Sequence, residues 1–171
     1  DARSRFCGVH FFNPPRYMHL VEIIPCVTSN AEMLDNLERF LVTTLGKGVI
    51  RAKDTPNFVA NRVGVFSMLA TIANAEKYGV RFDVVDDLTG PRLGRPKSAT
   101  FRTADVVGLD TFAHVVKTMQ DTLPEDPWHP LFKTPDWLAR LIADGALGQK
   151  TRRGIYKKEG KQTFVLDPLK G

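Results

Sequence analysis

Residues 8–28 read GVHFFNPPRYMHLVEIIPCVT. They set a histidine, His10, at the end of one apolar run and a lone carboxylate, Glu22, twelve positions later inside the next. A neutral imidazole takes up a proton through one ring nitrogen while the other donates to a carboxylate. That carboxylate fixes the tautomer and stabilises the imidazolium that forms. Two adjacent strands joined by a turn can bring such a pair together. Glu22 is flanked by Leu20, Val21, Ile23 and Ile24, so its charge must reach solvent or find a partner. The same pattern is also met by Glu22 on an exposed sheet face and His10 as a satisfied strand-end residue.

Three further residues have the right chemistry. Asn13 follows His10 in a turn, where its amide can reach a ligand or cap the turn. Asn61, beside Arg62 at the start of an apolar helical stretch, can orient a carbonyl or simply lie exposed. Lys150 sits in the loop GQKTRRG and, with Arg152, Arg153, Lys157, Lys158 and Lys161, forms a basic cluster. Such a cluster suits phosphate groups or a solvated hairpin rim. His19, His114 and His129 stand alone and read as packing or surface residues.

The elements that position these residues follow from periodicity. Residues 6–12 and 19–25, rich in Val, Ile and Phe, read as strands separated by Asn13-Pro14-Pro15. Residues 29–45 read as a helix capped by Ser29 or Asn30, with an apolar stripe of Met33, Leu34, Leu37, Phe40, Leu41 and Leu45. Residues 48–52 form a short strand. After Lys53-Asp54-Thr55-Pro56 the pattern turns helical, with helices predicted over 57–79, from about 83 to 88, over 103–119 with Thr103 as cap, and over 136–144. Residues 90–100 and 121–135 read as loop and turn, and GIYKK with QTFVL as a terminal hairpin. The fold class is therefore an α+β fragment: residues 1–53 an incomplete α/β piece, residues 54–171 a mainly helical domain with a small β tail.

The 171 residues carry 43% hydrophobic and 25% charged side chains and a net charge of +5, an ordinary globular balance. No apolar run approaches the ~20 residues that span a bilayer. The two cysteines, Cys7 and Cys26, belong to no Cys/His cluster, which argues against a metal site or a disulfide framework and for a reducing, cytoplasmic setting. No zinc-finger, RNP-type or helix-turn-helix signature accompanies the basic tail, so nucleic acid is not the expected partner. There is no Walker loop, GxSxG elbow or HExxH, and Gly46-Lys47-Gly48 lacks the third glycine of a dinucleotide turn. The start, DARSRFCG, reads as that of a fragment.

HFFNPPRYMHLVEII followed by KDTPNFVANR resembles the 3-hydroxyacyl-CoA dehydrogenases of fatty-acid β-oxidation, with support from VGLDT (107–111) and GQKTRRGIYKK (148–158). The stretch 94–105 is similar to the variant in long bacterial members that also carry a hydratase domain. The resemblance implies the tail of a Rossmann-type NAD-binding domain over 1–53 and the family's helical domain over 54–171. It implies His10 as general base for the 3-hydroxyl, Glu22 as its orienting partner and Asn61 at the thioester carbonyl. It further implies Asn13 near the nicotinamide end of NAD and Lys150 approaching NAD from the helical domain, with an acyl-CoA as substrate. It departs from the common pattern at Asn57, where glycine is usual, and at Arg152 and Arg153, where small or acidic residues are usual. A fragment of this kind is expected to be inactive alone and to form a homo-oligomer through its helical domain. The alternative function is a helical association module without catalysis.

Overall fold

The computed structural model describes residues 2–167. The chain divides into two compact units, Asp1–Ala60 and Asn61–Gly171.

The first unit is a three-stranded sheet of order β1 (Cys7–Phe11), β2 (Leu20–Pro25), β3 (Gly48–Arg51), with β2 antiparallel to β1 and parallel to β3. Helix α1 (Ala31–Thr43) makes the crossover between the two parallel strands. β2 is central, and Val21, Glu22, Ile23 and Ile24 are all buried. Side chains alternate across a strand. Val21 and Ile23 therefore share one face with Leu34 and Leu41 of α1, while Glu22 and Ile24 take the other. Asn30 caps α1, its Oδ1 accepting from Met33 N at 3.0 Å. Ser29 serves the strands instead: its hydroxyl donates to Phe6 O at 2.6 Å and accepts from Cys26 N at 2.8 Å. The expected stripe of α1 is narrower than read. Leu34 and Leu41 are buried, but Phe40 and Leu45 are exposed in this unit.

In the second unit α2 (Ala60–Tyr78) contributes Val65, Leu69, Ile72 and Ala75 to a core shared with α3 (Phe82–Thr89), α4 (Phe101–Val107), α5 (Leu109–Thr122) and α6 (Asp136–Ala143). At its centre Phe82 and Phe101 stack with centroids 3.9 Å apart, and Trp137 packs on Phe82 at 5.1 Å. Strands β4 (Tyr156–Glu159) and β5 (Gln162–Val165) form the terminal hairpin around Gly160, in left-handed conformation at φ 59°.

Two helical expectations are corrected. The stretch 103–119 is two helices, α4 and α5, parted at Gly108, whose φ of 99° no helix accommodates. The helix read from 57 begins at Ala60, because Asn57 (φ 59°) and Phe58 (φ 52°) adopt the left-handed conformation.

Two buried carboxylates tie the second unit together. Asp86 lies one turn beyond Phe82 on the apolar face of α3, and Asp105 one turn beyond Phe101 on α4. Asp86 accepts the backbone N–H of Thr100, Phe101 and Arg102 and the Tyr156 hydroxyl, so α3 caps α4. Asp105 accepts the N–H of Ile155 at 2.9 Å and of Tyr156 at 2.8 Å, fixing where the hairpin begins. Burial, against those two hydrogen bonds, pushes the Asp105 carboxyl above its ordinary value.

Candidate active site

The β1–β2 register sets His10 directly opposite Glu22, on the sheet face away from α1. His10 Nδ1 lies 2.9 Å from Glu22 Oε2. Glu22 has no solvent exposure, while the His10 side chain keeps 27% of its own. The second carboxylate oxygen, Oε1, accepts the backbone N–H of Ala60 at 2.7 Å and of Val59 at 3.2 Å. The buried charge is thus met by three donors, which is what burial of a carboxylate demands. Those two amides reach Glu22 after the left-handed turn at Asn57 and Phe58. A phenylalanine at positive φ costs about 1–2 kcal/mol, and the turn also sets the Phe58 ring against His10, tilted, with centroids 5.3 Å apart. Phe12 lies on the ring at 4.4 Å. The imidazole is therefore held by one carboxylate and two aromatic rings.

With Nδ1 engaged by a carboxylate, Nε2 is the nitrogen that can accept a proton. His10 lines a cavity of about 340 Å³ with Phe6, Val9, Cys26, Asp54 and Phe58. On the same stretch Asn57 Nδ2 is buried with no hydrogen-bond partner among the described residues, a donor left for a polar ligand group. Asn13 lies exposed just after β1. Its loop is pinned by Lys47, whose ammonium donates to Pro15 O and Met18 O at 2.6 Å each.

The remaining two candidates belong to the second unit. Asn61 is half-buried on the first turn of α2, beside Arg62, which pairs with Asp126. Lys150 donates to both carboxylate oxygens of Asp110 at 2.6 Å, and this bond holds the Asp110 carboxyl below the usual carboxylate range. The glycines of GQKTRRG are structural. A Cβ at Gly148 would strike the Asp105 backbone, and one at Gly154 the Asp105 carboxylate.

Sequence reasoning missed the Phe12 and Phe58 rings, the two amides on Glu22, the Asp110 partner of Lys150 and both buried aspartates. For the aspartates a signal existed: each stands four residues after a phenylalanine, on an otherwise apolar helical face.

An antiparallel strand laid on a parallel pair carries a histidine–carboxylate couple and is followed in the chain by a helical unit. Residues 58–158 match the family described as 3-hydroxyacyl-CoA dehydrogenase, C-terminal domain, and residues 1–55 match its NAD binding domain. The chain belongs to the 3-hydroxyacyl-CoA dehydrogenase family. It is 47% identical over 169 residues to a probable 3-hydroxyacyl-CoA dehydrogenase of Bacillus subtilis, covering 99% of this chain and 21% of that protein. It is 46% identical over 158 residues to a probable 3-hydroxyacyl-CoA dehydrogenase of Deinococcus radiodurans, covering 92% of this chain and 45% of that protein. The crystal structure of Mycobacterium tuberculosis FadB2 superposes with a TM-score of 0.78 at 31% identity, over 91% of this chain and 53% of that one. The chain thus spans between a fifth and about half of these relatives. Its fold class is the expected one: the tail of a Rossmann-type α/β domain followed by a mainly helical domain.

Proposed function

We propose that the full-length protein carrying these residues oxidises (S)-3-hydroxyacyl-CoA to 3-oxoacyl-CoA in fatty-acid β-oxidation. In this reading residues 1–53 are the C-terminal part of the NAD-binding domain, and residues 54–171 the helical domain with its terminal hairpin. The observation that carries the reading is the 2.9 Å contact between His10 Nδ1 and a fully buried Glu22. His10 Nε2 takes the proton of the 3-hydroxyl. Glu22 holds the ring in that tautomer and stabilises the imidazolium through the contact already made. Hydride acceptance is the chemistry that NAD supplies when bound. His10 on a largely apolar cavity wall and the unpartnered Asn57 amide next to Phe58 fit that chemistry, as polar groups a ligand could engage. Asn61 would orient the thioester carbonyl, and Asn13 would face the nicotinamide end. Lys150 would reach NAD only by releasing Asp110.

The test is kinetic. In the full-length protein His10→Gln and Glu22→Gln should each lower kcat for acetoacetyl-CoA reduction by about 10²–10⁴-fold with the fold retained. Unchanged kcat in either variant would remove the pair from the mechanism.

A second reading, association through the helical unit, rests on a different observation. Val63, Tyr78 and Leu88 are exposed beside an apolar cavity of about 560 Å³ along α2 and α3. Light scattering on the 171-residue chain should give the mass of a dimer. A monomer at high concentration would contradict this second reading.

A further inference from the structure

The basic run at the C-terminal end takes no part in the His10–Glu22 chemistry. Within the second unit, Arg102, Arg152 and Lys158 line one cavity of about 650 Å³, whose wall also includes Asp105 and Tyr156. That size suits a small-molecule site. Three cations face one carboxylate there, and that carboxylate is committed to the amides of Ile155 and Tyr156. The Arg102 guanidinium carbon sits over the Tyr156 ring, 4.3 Å from its centroid, with Asp86 3.7 Å away. It is oriented and only partly neutralised.

The pairing of neighbouring cations sharpens the point. Lys150 and Lys157, which do not line this cavity, are ion-paired with Asp110 and Glu159 at 2.6 and 2.5 Å. Arg152 and Lys158, which do line it, have no carboxylate within ion-pair distance among the described residues. Arg152 also sits at φ 57°, where glycine would be free of strain. Backbone strain of this kind clusters at ligand sites, and here it sets a guanidinium on the cavity wall.

We propose that this cavity binds the phosphomonoester of a small molecule, with the dianion between Arg152 and Lys158 and the Arg102 guanidinium, seated over Tyr156, as third donor. Two sources share that chemistry: free phosphate, and the phosphorylated end of a coenzyme A thioester. The proposal does not depend on the His10–Glu22 reaction.

Calorimetric titration of the 171-residue chain with inorganic phosphate and with adenosine 3′,5′-bisphosphate tests it. At least one probe should bind saturably, and Arg152→Gly and Lys158→Gln should each weaken that binding by tenfold or more. Arg152→Gly also relieves the strained backbone, so the thermal midpoint of the ligand-free variant should hold or rise, separating lost affinity from lost fold. Preference for the bisphosphate assigns the site to a coenzyme A end. Equal or tighter binding of phosphate assigns it to free phosphate. Absence of saturable binding by both probes, or affinities unchanged in both variants, would overturn the proposal.

Discussion

His10 and Glu22 face each other across the β1–β2 ladder because the connection between the strands fixes their register, and a slip of one residue would send them to opposite faces. The residue types and their spacing were legible in the sequence. The register was not, because it depends on a loop held by Lys47, thirty-two positions from Pro15. The Phe58 ring and the two amides on Glu22 were illegible for a related reason: apolar residues after Asn57 continue a helical pattern, and nothing local announces a left-handed turn. Tyr156 gives a second residue-scale prediction. Burial first, and its bond to Asp86 second, push the phenol well above its ordinary value. The unfolded chain therefore gives up this proton near pH 10 while the folded chain keeps it. Stability from this group is full below about pH 10 and falls as pH rises beyond it. Urea denaturation between pH 9 and 11.5 should show that decline in the native chain and a shallower one in Tyr156→Phe. At pH 8 the variant should be less stable by roughly 1.5–3 kcal/mol, the worth of a hydrogen bond to a charged group.

Helices α3 and α4 and the hairpin are joined in series by carboxylates: Asp86 holds the start of α4, and Asp105 the start of β4. Helical patterning revealed α1, α2 and α6 to within a few residues, since α1 and α6 carry clear apolar stripes and α2 is a long run of apolar and small residues without a glycine or proline break after Gly64 until Gly79. It ran α4 and α5 together, because the break at Gly108 is a matter of one backbone dihedral and not of polarity. It also overstated α1, where Phe40 continues the pattern but stays half exposed. The series linkage makes the small residues beside Asp105 critical. Gly154→Ala drives a Cβ into the Asp105 carboxylate, and Gly148→Ala drives one into its backbone. Each should lower the stability of the second unit by about 1–3 kcal/mol, as overpacking does. Gly145→Ala is the control for steric overlap: its Cβ would meet nothing within 4 Å, and its φ of 71° carries the positive-φ penalty that Gly148 shares and Gly154 does not. Thermal denaturation of the three variants should rank Gly145→Ala as the mildest.

At the scale of the molecule, the chain holds the proposed His10–Glu22 couple, while no glycine-rich dinucleotide turn occurs in its 171 residues. The larger sheet among the described residues has three strands, and the chain spans between a fifth and about half of the relatives named above. By itself the chain should show no NADH-dependent reduction of acetoacetyl-CoA above background. Measurable turnover by the isolated chain would mean that the crevice needs fewer strands than the account assigns it. The general plan, an α/β piece followed by a helical unit, was readable from the change of pattern near Pro56. The anion cavity was legible only in part: Arg152 and Lys158 belong to the basic cluster near the C-terminus, but Arg102 lies fifty residues before Arg152 and only the fold brings it to the same wall.

The central claim is that Glu22 locks the His10 ring with Nε2 open to take a proton. Nitrogen-15 NMR of the labelled chain at pH 8.5, above the ordinary histidine range, reads this directly. The account predicts that His10 carries its proton on Nδ1, and that Glu22→Gln abolishes that preference. A ring protonated on Nε2 in the native chain, the form favoured by free histidine, would contradict it.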